Sequence, residues 1–320
     1  MLVRWLAGLL CSCVCLPHGV RAGEGVQCRA TDGDYEFTVN GQSVLVYNAT
    51  LKECPVAGFA ECRRSGFIHP IHAPDGTVVS DDFPPEHAHQ HGIMFAWVEN
   101  AFQGQPIDFW NSMKNQGSVE HVEVLGITHE TEFAQLDVKL QHSQIVTGSE
   151  NQPILNEKWR IRVYNSADPH VIDIQSTITC ATDHPLHLKE YHYGGMAFRG
   201  AREWSFGKAE FLTSDGKDRA SGNHTRPLWT AITGQVGEKS YTMAGVEFPK
   251  NFRYPQPVRL HPDMPYFCWS PTVLGEFDIT LGKPYVSEYR FYVFNGAPDV
   301  ERLDELQRAT VTPVAGMLVE

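Results

Sequence analysis

The sequence predicts an all-β fold, a large antiparallel β-sandwich with one short C-terminal helix. Three observations point there. Runs of alternating or β-branched residues recur along most of the chain, two of them are joined by Asn40-Gly41, and only one segment carries helical spacing. A parallel sheet needs helices on its faces, and one helix cannot supply them.

Taken in order, residues 2–16 form an apolar run with Arg4 ahead of its core and Val20-Arg21-Ala22 behind it. That pattern reads as a secretory leader over residues 1–22, followed by a single β-sandwich domain over residues 23–320. The expected location is exported, periplasmic or extracellular. No later stretch approaches the ~18 apolar residues of a spanning helix, so no membrane span is expected. The chain has 38 acidic against 26 basic side chains, a formal charge of −12, and loss of Arg4 and Arg21 makes it more negative. Nucleic acid is excluded as a partner on that balance, whereas small molecules, oligosaccharides and metal cations meet no barrier.

Three of the eight cysteines precede residue 22, which leaves Cys28, Cys54, Cys62, Cys180 and Cys268. Cys54 and Cys62 are the easiest local disulfide, and the odd number leaves at least one free thiol.

The first structural element is a hairpin, 35–39 and 42–47, because Asn-Gly fits a type I′ turn. Further strands are expected at 119–125, 133–140, 158–164, 171–179, 186–198, 240–248, 277–281 and 285–294. Arg290 within the last needs a partner, since a charge in an apolar strand cannot stand alone. The helix spans 298–309, capped by Asp299, with Val300, Leu303 and Leu306 on one face.

Between residues 64 and 111 the alternation gives way to Pro-, Gly- and His-rich sequence, and long irregular insertions in compact domains usually carry function. His69, His72, His87, His89 and His91 all lie here. In an extended segment, residues two apart face the same way at roughly 6.5 Å, so neighbouring imidazoles of His87-x-His89-x-His91 can share a divalent metal such as Zn or Cu, whereas the outer two, at twice that separation, could share one only across a bend. Metal-free acid–base or sugar-hydroxyl contacts, and plain solvated loop histidines, fit the same pattern. Asp108-Phe-Trp110 offers an acid beside an aromatic plane, the usual means of holding a sugar ring, and equally fits a turn with two core aromatics.

A second cluster runs from Leu186 to Gly200. Alternation sets Glu190 and His192 on one face and His187, Lys189, Tyr191 and Tyr193 on the other, before Gly194-Gly195 signals a bulge or a close backbone approach. The candidate catalytic residues are therefore His87, His89, Asp108, His192, Arg199 and Glu190. His69, Trp110 and Tyr191 are the candidate substrate-binding residues, and His87, His89 and His91 the candidate metal ligands. The first five catalytic candidates are expected to line one pocket.

The runs Arg64-Ser-Gly-Phe-Ile-His-Pro70, Ala73-Pro-Asp-Gly76, His87-x-His89-x-x-Gly92, Asp108-Phe-Trp110, Gly194-Gly-Met-Ala-Phe-Arg199 and Tyr289-Arg-Phe-Tyr-Val-Phe-Asn-Gly296 resemble the PmoA family, labelled methane oxygenase PmoA. In that family the histidine motif often reads His-Pro-His-His-Arg-Gly, from which Gln90 and His91 depart. The resemblance implies an exported bacterial protein with a strand content similar to galactose mutarotase-like supersandwiches. The leading functional reading is a carbohydrate-active enzyme of lyase, hydrolase or epimerase type. A non-catalytic sugar-binding protein and a metal-dependent oxidoreductase, the class the family label suggests, are the alternatives.

Overall fold

The computed structural model describes residues 25–312. The leader expected at residues 1–22 lies outside them. All the named strands pair antiparallel, in two eight-stranded sheets and one of four. The first sheet runs in the order Val26–Thr31, Asp34–Val39, Gln42–Asn48, Phe67–Ile71, Ile93–Ala96, Gly195–Arg199, Tyr266–Trp269, Val258–Leu260. The second runs Glu210–Thr213, Trp229–Val236, Lys239–Glu247, Tyr285–Asn295, His170–Cys180, Gln152–Tyr164, Phe133–Gln144, Gly117–His129. The small third sheet joins Phe277–Ile279, Leu186–Leu188, Asn100–Phe102 and Gln105–Ile107 at one end.

The two large sheets pack face to face, as the sandwich expectation requires. Strand alternation makes the interface: Trp159, Ile161 and Val163 are buried while Lys158 and Arg160 between them are exposed. Trp269 of the first sheet stacks on Tyr289 of the second at 4.5 Å and meets Phe291 edge-on. The outer face of the second sheet is covered by the helix Val300–Val311, whose Leu303 packs with Trp229, Val246 and Tyr292. Asp299 caps it by accepting from Arg302 N at 2.7 Å. No described helix is long and apolar enough to cross a membrane.

The hairpin turn has Asn40 and Gly41 both at positive φ, 51° and 79°, as a type I′ turn demands. Arg290 finds its partner across the strand pair: its guanidinium forks onto Asp173 at 2.6 and 2.7 Å and reaches Tyr164 OH at 3.1 Å.

Two expectations are corrected here. The strand expected over 186–198 is two short strands in different sheets, Leu186–Leu188 and Gly195–Arg199, separated by an irregular segment. The cause is the glycine pair, with φ of 128° and 123°, and at Gly195 a Cβ would lie 2.3 Å from the Trp269 carbonyl oxygen. The close backbone approach is real, but it ends the alternation. Cys54 and Cys62 do not form a disulfide, and all five described cysteines are free thiols. Cys54 Sγ turns to the Val56 carbonyl, while Cys62 is buried towards Ser112.

Candidate functional site

Register on the first sheet decides which side chains meet. Arg199 pairs with Tyr266, and Arg259 with Cys268. Trp269 and Phe267 turn inward against the second sheet, so Tyr266, Cys268, Arg199 and Arg259 share the outer face. His261 follows one residue beyond the strand Val258–Leu260, again two from Arg259. Over this face folds the segment carrying His87, His89 and Gln90, and beside it the irregular segment carrying His192 and Tyr193. With Trp110 and Asn111 they enclose a cleft of about 230 Å³.

Arg199 is 1% exposed and holds the histidine segment down. It donates from Nη1 to Gln90 Oε1 at 2.9 Å, and from Nη2 to Glu86 Oε1 at 2.5 Å and Ser205 Oγ at 3.2 Å. Asp108 acts similarly on the opposite wall. Its Oδ1 accepts from the backbone N–H groups of Trp110 and Asn111, and its Oδ2 from Asn111 Nδ2 and Lys114. Asn111 in turn bonds Tyr193 OH at 3.1 Å.

The cleft collects four imidazoles, and each is held towards its neutral form. Burial pushes His89 down to about 3, helped by the neighbouring His87. His261 falls to about 4 through burial, then through His87 and Arg259. Burial lowers His87 and His192 as well, with Arg199 adding to the first and Arg259 to the second. His261 also has a defined tautomer. The backbone N–H groups of Asp263 and Met264 both donate to Nδ1, at 3.2 and 3.0 Å, so Nε2 carries the proton. The His87 ring stands 5.3 Å from the His261 ring and 5.8 Å from that of His89.

His87, His89, His192 and Trp110 thus meet at one cleft. Arg199 and Asp108 do not face it; they position the residues that do. Trp110 is only 1% exposed, packed edge-on by Tyr193 at 5.4 Å and Tyr266 at 5.7 Å, so it forms a wall and offers no free face for stacking. Glu190 and Tyr191 border a neighbouring depression that shares His192 with the cleft. His69 bonds Ser80 Oγ at 2.8 Å, away from the cleft.

His91 leaves the proposed metal trio. Its Nδ1 meets Asp82 at 2.5 Å, its ring lies against Phe67 and Phe83, at 4.6 and 4.7 Å, and it is not part of the cleft lining. Among the described residues no group of three or more His, Cys, Asp or Glu is arranged to hold a metal ion.

Sequence reasoning missed Arg259, His261 and Tyr266. The signal was there for two of them: Arg259-Leu260-His261 has the same spacing of two as the histidine motif. A larger hollow, about 340 Å³, lies between Glu61, Arg63, Ser112 and Glu120 and contains no histidine. The His142–Glu157 pair, 2.7 Å apart, is sealed in the core with Trp159 and Ser176.

No curated protein matches the chain. Among solved structures it is similar to heparan sulfate lyase HepC from Pedobacter heparinus in a mutant form, at 7% identity and a TM-score of 0.39, covering 87% of this chain and 36% of that one. It is also similar to an α-galactosidase from Geobacillus stearothermophilus, at 8% and 0.38, covering 85% and 41%. A galactose mutarotase related enzyme from Lactobacillus acidophilus matches at 10% and 0.33, covering 86% and 99%. The chain spans about a third of the length of the lyase. These neighbours are carbohydrate-active enzymes, but likeness at this level carries no argument about the chemistry here. The resemblance to the PmoA family is overturned by the family match, which is to a different group and covers residues 34–308. The departures at Gln90 and His91 fit that correction, since one anchors Arg199 and the other is buried against Asp82. The chain belongs to the family of unknown function DUF6807.

Proposed function

We propose that this chain is an exported carbohydrate-active enzyme that moves protons on a sugar ring held in the His87/His192/His261 cleft. The observation that carries the reading is the convergence of imidazoles held neutral by burial on a cleft with no carboxylate in its lining. A neutral imidazole accepts a proton, and His192, the most exposed of the four, is the base. His261 presents Nε2–H as a hydrogen-bond donor that polarises a sugar oxygen. Asn111 and Tyr193, bonded to each other, supply contacts to hydroxyls. The proton on His192 returns to substrate or product at the end of the cycle.

Incubating the full chain with a panel of oligosaccharides and uronates tests this. New reducing ends, unsaturated products or accelerated anomer exchange are expected, and His192→Ala should lower kcat/KM by roughly 10²–10⁴-fold. The wild-type rate should fall on an acid limb below pH ~6.5, where imidazoles begin to protonate. Binding without turnover on the whole panel would favour a non-catalytic sugar-binding protein. A stoichiometric metal on the purified protein, lost in the His87→Ala/His89→Ala double variant together with activity, would overturn the metal-free mechanism.

A further inference from the structure

The cleft has the opposite sign to the molecule around it. The chain carries 38 acidic and 26 basic side chains, yet this cavity is lined by no carboxylate and by one guanidinium, Arg259. Other enclosed arginines lie outside this cleft and hold the fold: Arg199 pairs with Glu86 and Arg290 with Asp173, Arg219 and Arg253 donate to pairs of backbone carbonyls, and Arg64 donates to the Phe95 carbonyl. Arg259 makes one side-chain hydrogen bond among the described residues, from Nη1 to Asn223 Oδ1 at 3.1 Å, and no ion pair. Most of its donors remain free. Its strand neighbours Val258 and Leu260 are buried inward, which leaves the guanidinium on the outer face with His192 and His261.

A half-buried cation with free donors, in a cavity without a counter-charge, recognises an anion. The planar fork of a guanidinium pairs bidentately with a carboxylate, and the lining supplies one such cation, which balances the single charge of a carboxylate but not the double charge of a phosphate; a sulfate ester is the competing anion that the test below separates. We propose that the sugar bound here is a hexuronate unit whose carboxylate is held by Arg259. This rests on reading the cleft as a sugar site, and it also explains the company Arg259 keeps. A neutralised carboxylate makes the adjacent C–H more acidic. Breaking that bond places its electron pair in the carboxylate as an enolate beside the guanidinium and puts the proton on His192. From there the proton returns to carbon, or goes to an oxygen that departs as the neighbouring C–O bond breaks and a C=C bond forms.

The test is calorimetric binding of three matched pairs, glucuronate and glucose, galacturonate and galactose, mannuronate and mannose, to the full chain and to Arg259→Gln and Arg259→Lys. At least one uronate should bind about tenfold or more tightly than its hexose, with a preference that weakens as salt is added. Arg259→Gln should erase the preference while leaving thermal unfolding unchanged, and Arg259→Lys should keep part of it. Equal binding within all three pairs, or a preference that survives Arg259→Gln, would overturn the proposal. Tighter binding of glucose 6-sulfate than of every uronate would assign the guanidinium to sulfate instead and overturn the carboxylate. Turnover on neutral sugars with no charge preference removes this inference and leaves the acid–base reading standing. A charge preference without turnover does the reverse, and no binding by any sugar of the set removes both.

Discussion

At the scale of single residues, the cleft depends on groups that never touch a ligand. Arg199 is the clearest: it ties Glu86 and Gln90, on either side of His87 and His89, to the sheet. Arg199→Ala would leave the Gln90 amide buried and unpaired and strip Glu86 of its counter-charge. Breaking a buried ion pair typically costs about 3–5 kcal/mol, and because Glu86 is part-exposed an expected loss of about 2–4 kcal/mol is appropriate. The midpoint of denaturant unfolding measures it. Arg199→Lys should recover little, because one ammonium cannot span two acceptors that a planar fork reaches at once. An Arg199→Ala protein as stable as the wild type would show that the histidine segment is held by its backbone alone. His87 and His89 were legible because spacing by two is a local pattern. Arg199 was singled out as well, but its role was not legible: Glu86 and Gln90 lie more than a hundred residues away, and only the sheet brings them together.

At the scale of elements, long strands were readable, and short ones only where a turn or an alternating run marked them, as at the hairpin and at Phe277–Ile279. The hairpin, the five longest strands of the second sheet and the capped helix all announce themselves, because alternation over seven or more residues, or a turn dipeptide, is a strong local signal. The site sits on strands of three to five residues: Val258–Leu260 and Tyr266–Trp269, where alternation is too brief to register, and Gly195–Arg199, which was read as the end of one longer strand. Tyr266 was therefore not singled out. Glu190 and His192 were paired by an alternation that the glycines interrupt. Gly195 is the hinge of that difference, since its φ of 123° and the Trp269 carbonyl 2.3 Å from an added Cβ both exclude a side chain. Gly195→Ala should cost about 3 kcal/mol through backbone strain and the forced parting of two strands. Urea unfolding reads the loss, and a change of His192 titration by NMR should accompany it, because the irregular segment must move when the strand does. A neutral substitution would mean that the two strands part without strain.

At the scale of the whole molecule, buried titratable groups of both kinds set opposing limits on the pH range of the fold. Burial pushes His69 down to about 4 and His89 to about 3, and lowers His72, His91 and His170 too. An unfolded imidazole protonates near 6.5, so as pH falls from there towards 4 the unfolded chain binds more protons than the native one and stability drops. His69 and His89 contribute on the order of 1–3 kcal/mol each, and more exposed ones such as His261 less. The carboxyls of Asp82 and Glu247 act the other way. Burial raises them to about 7 and about 8, so in the native state they keep protons that the unfolded chain releases near 4, and stability falls as pH rises through that window. Below about 6.5 the more numerous histidines outweigh the two acids; above it only the acids still change. Thermal unfolding at pH 5, 6.5 and 8 should therefore give its highest Tm at 6.5. Glu247→Gln should flatten the alkaline limb, because an amide oxygen still accepts from Gln256 N but no longer titrates. A Tm that climbs steadily from pH 5 to 8 would mean that both carboxyls are ionised in the native protein and that the buried histidines alone govern its response to acid.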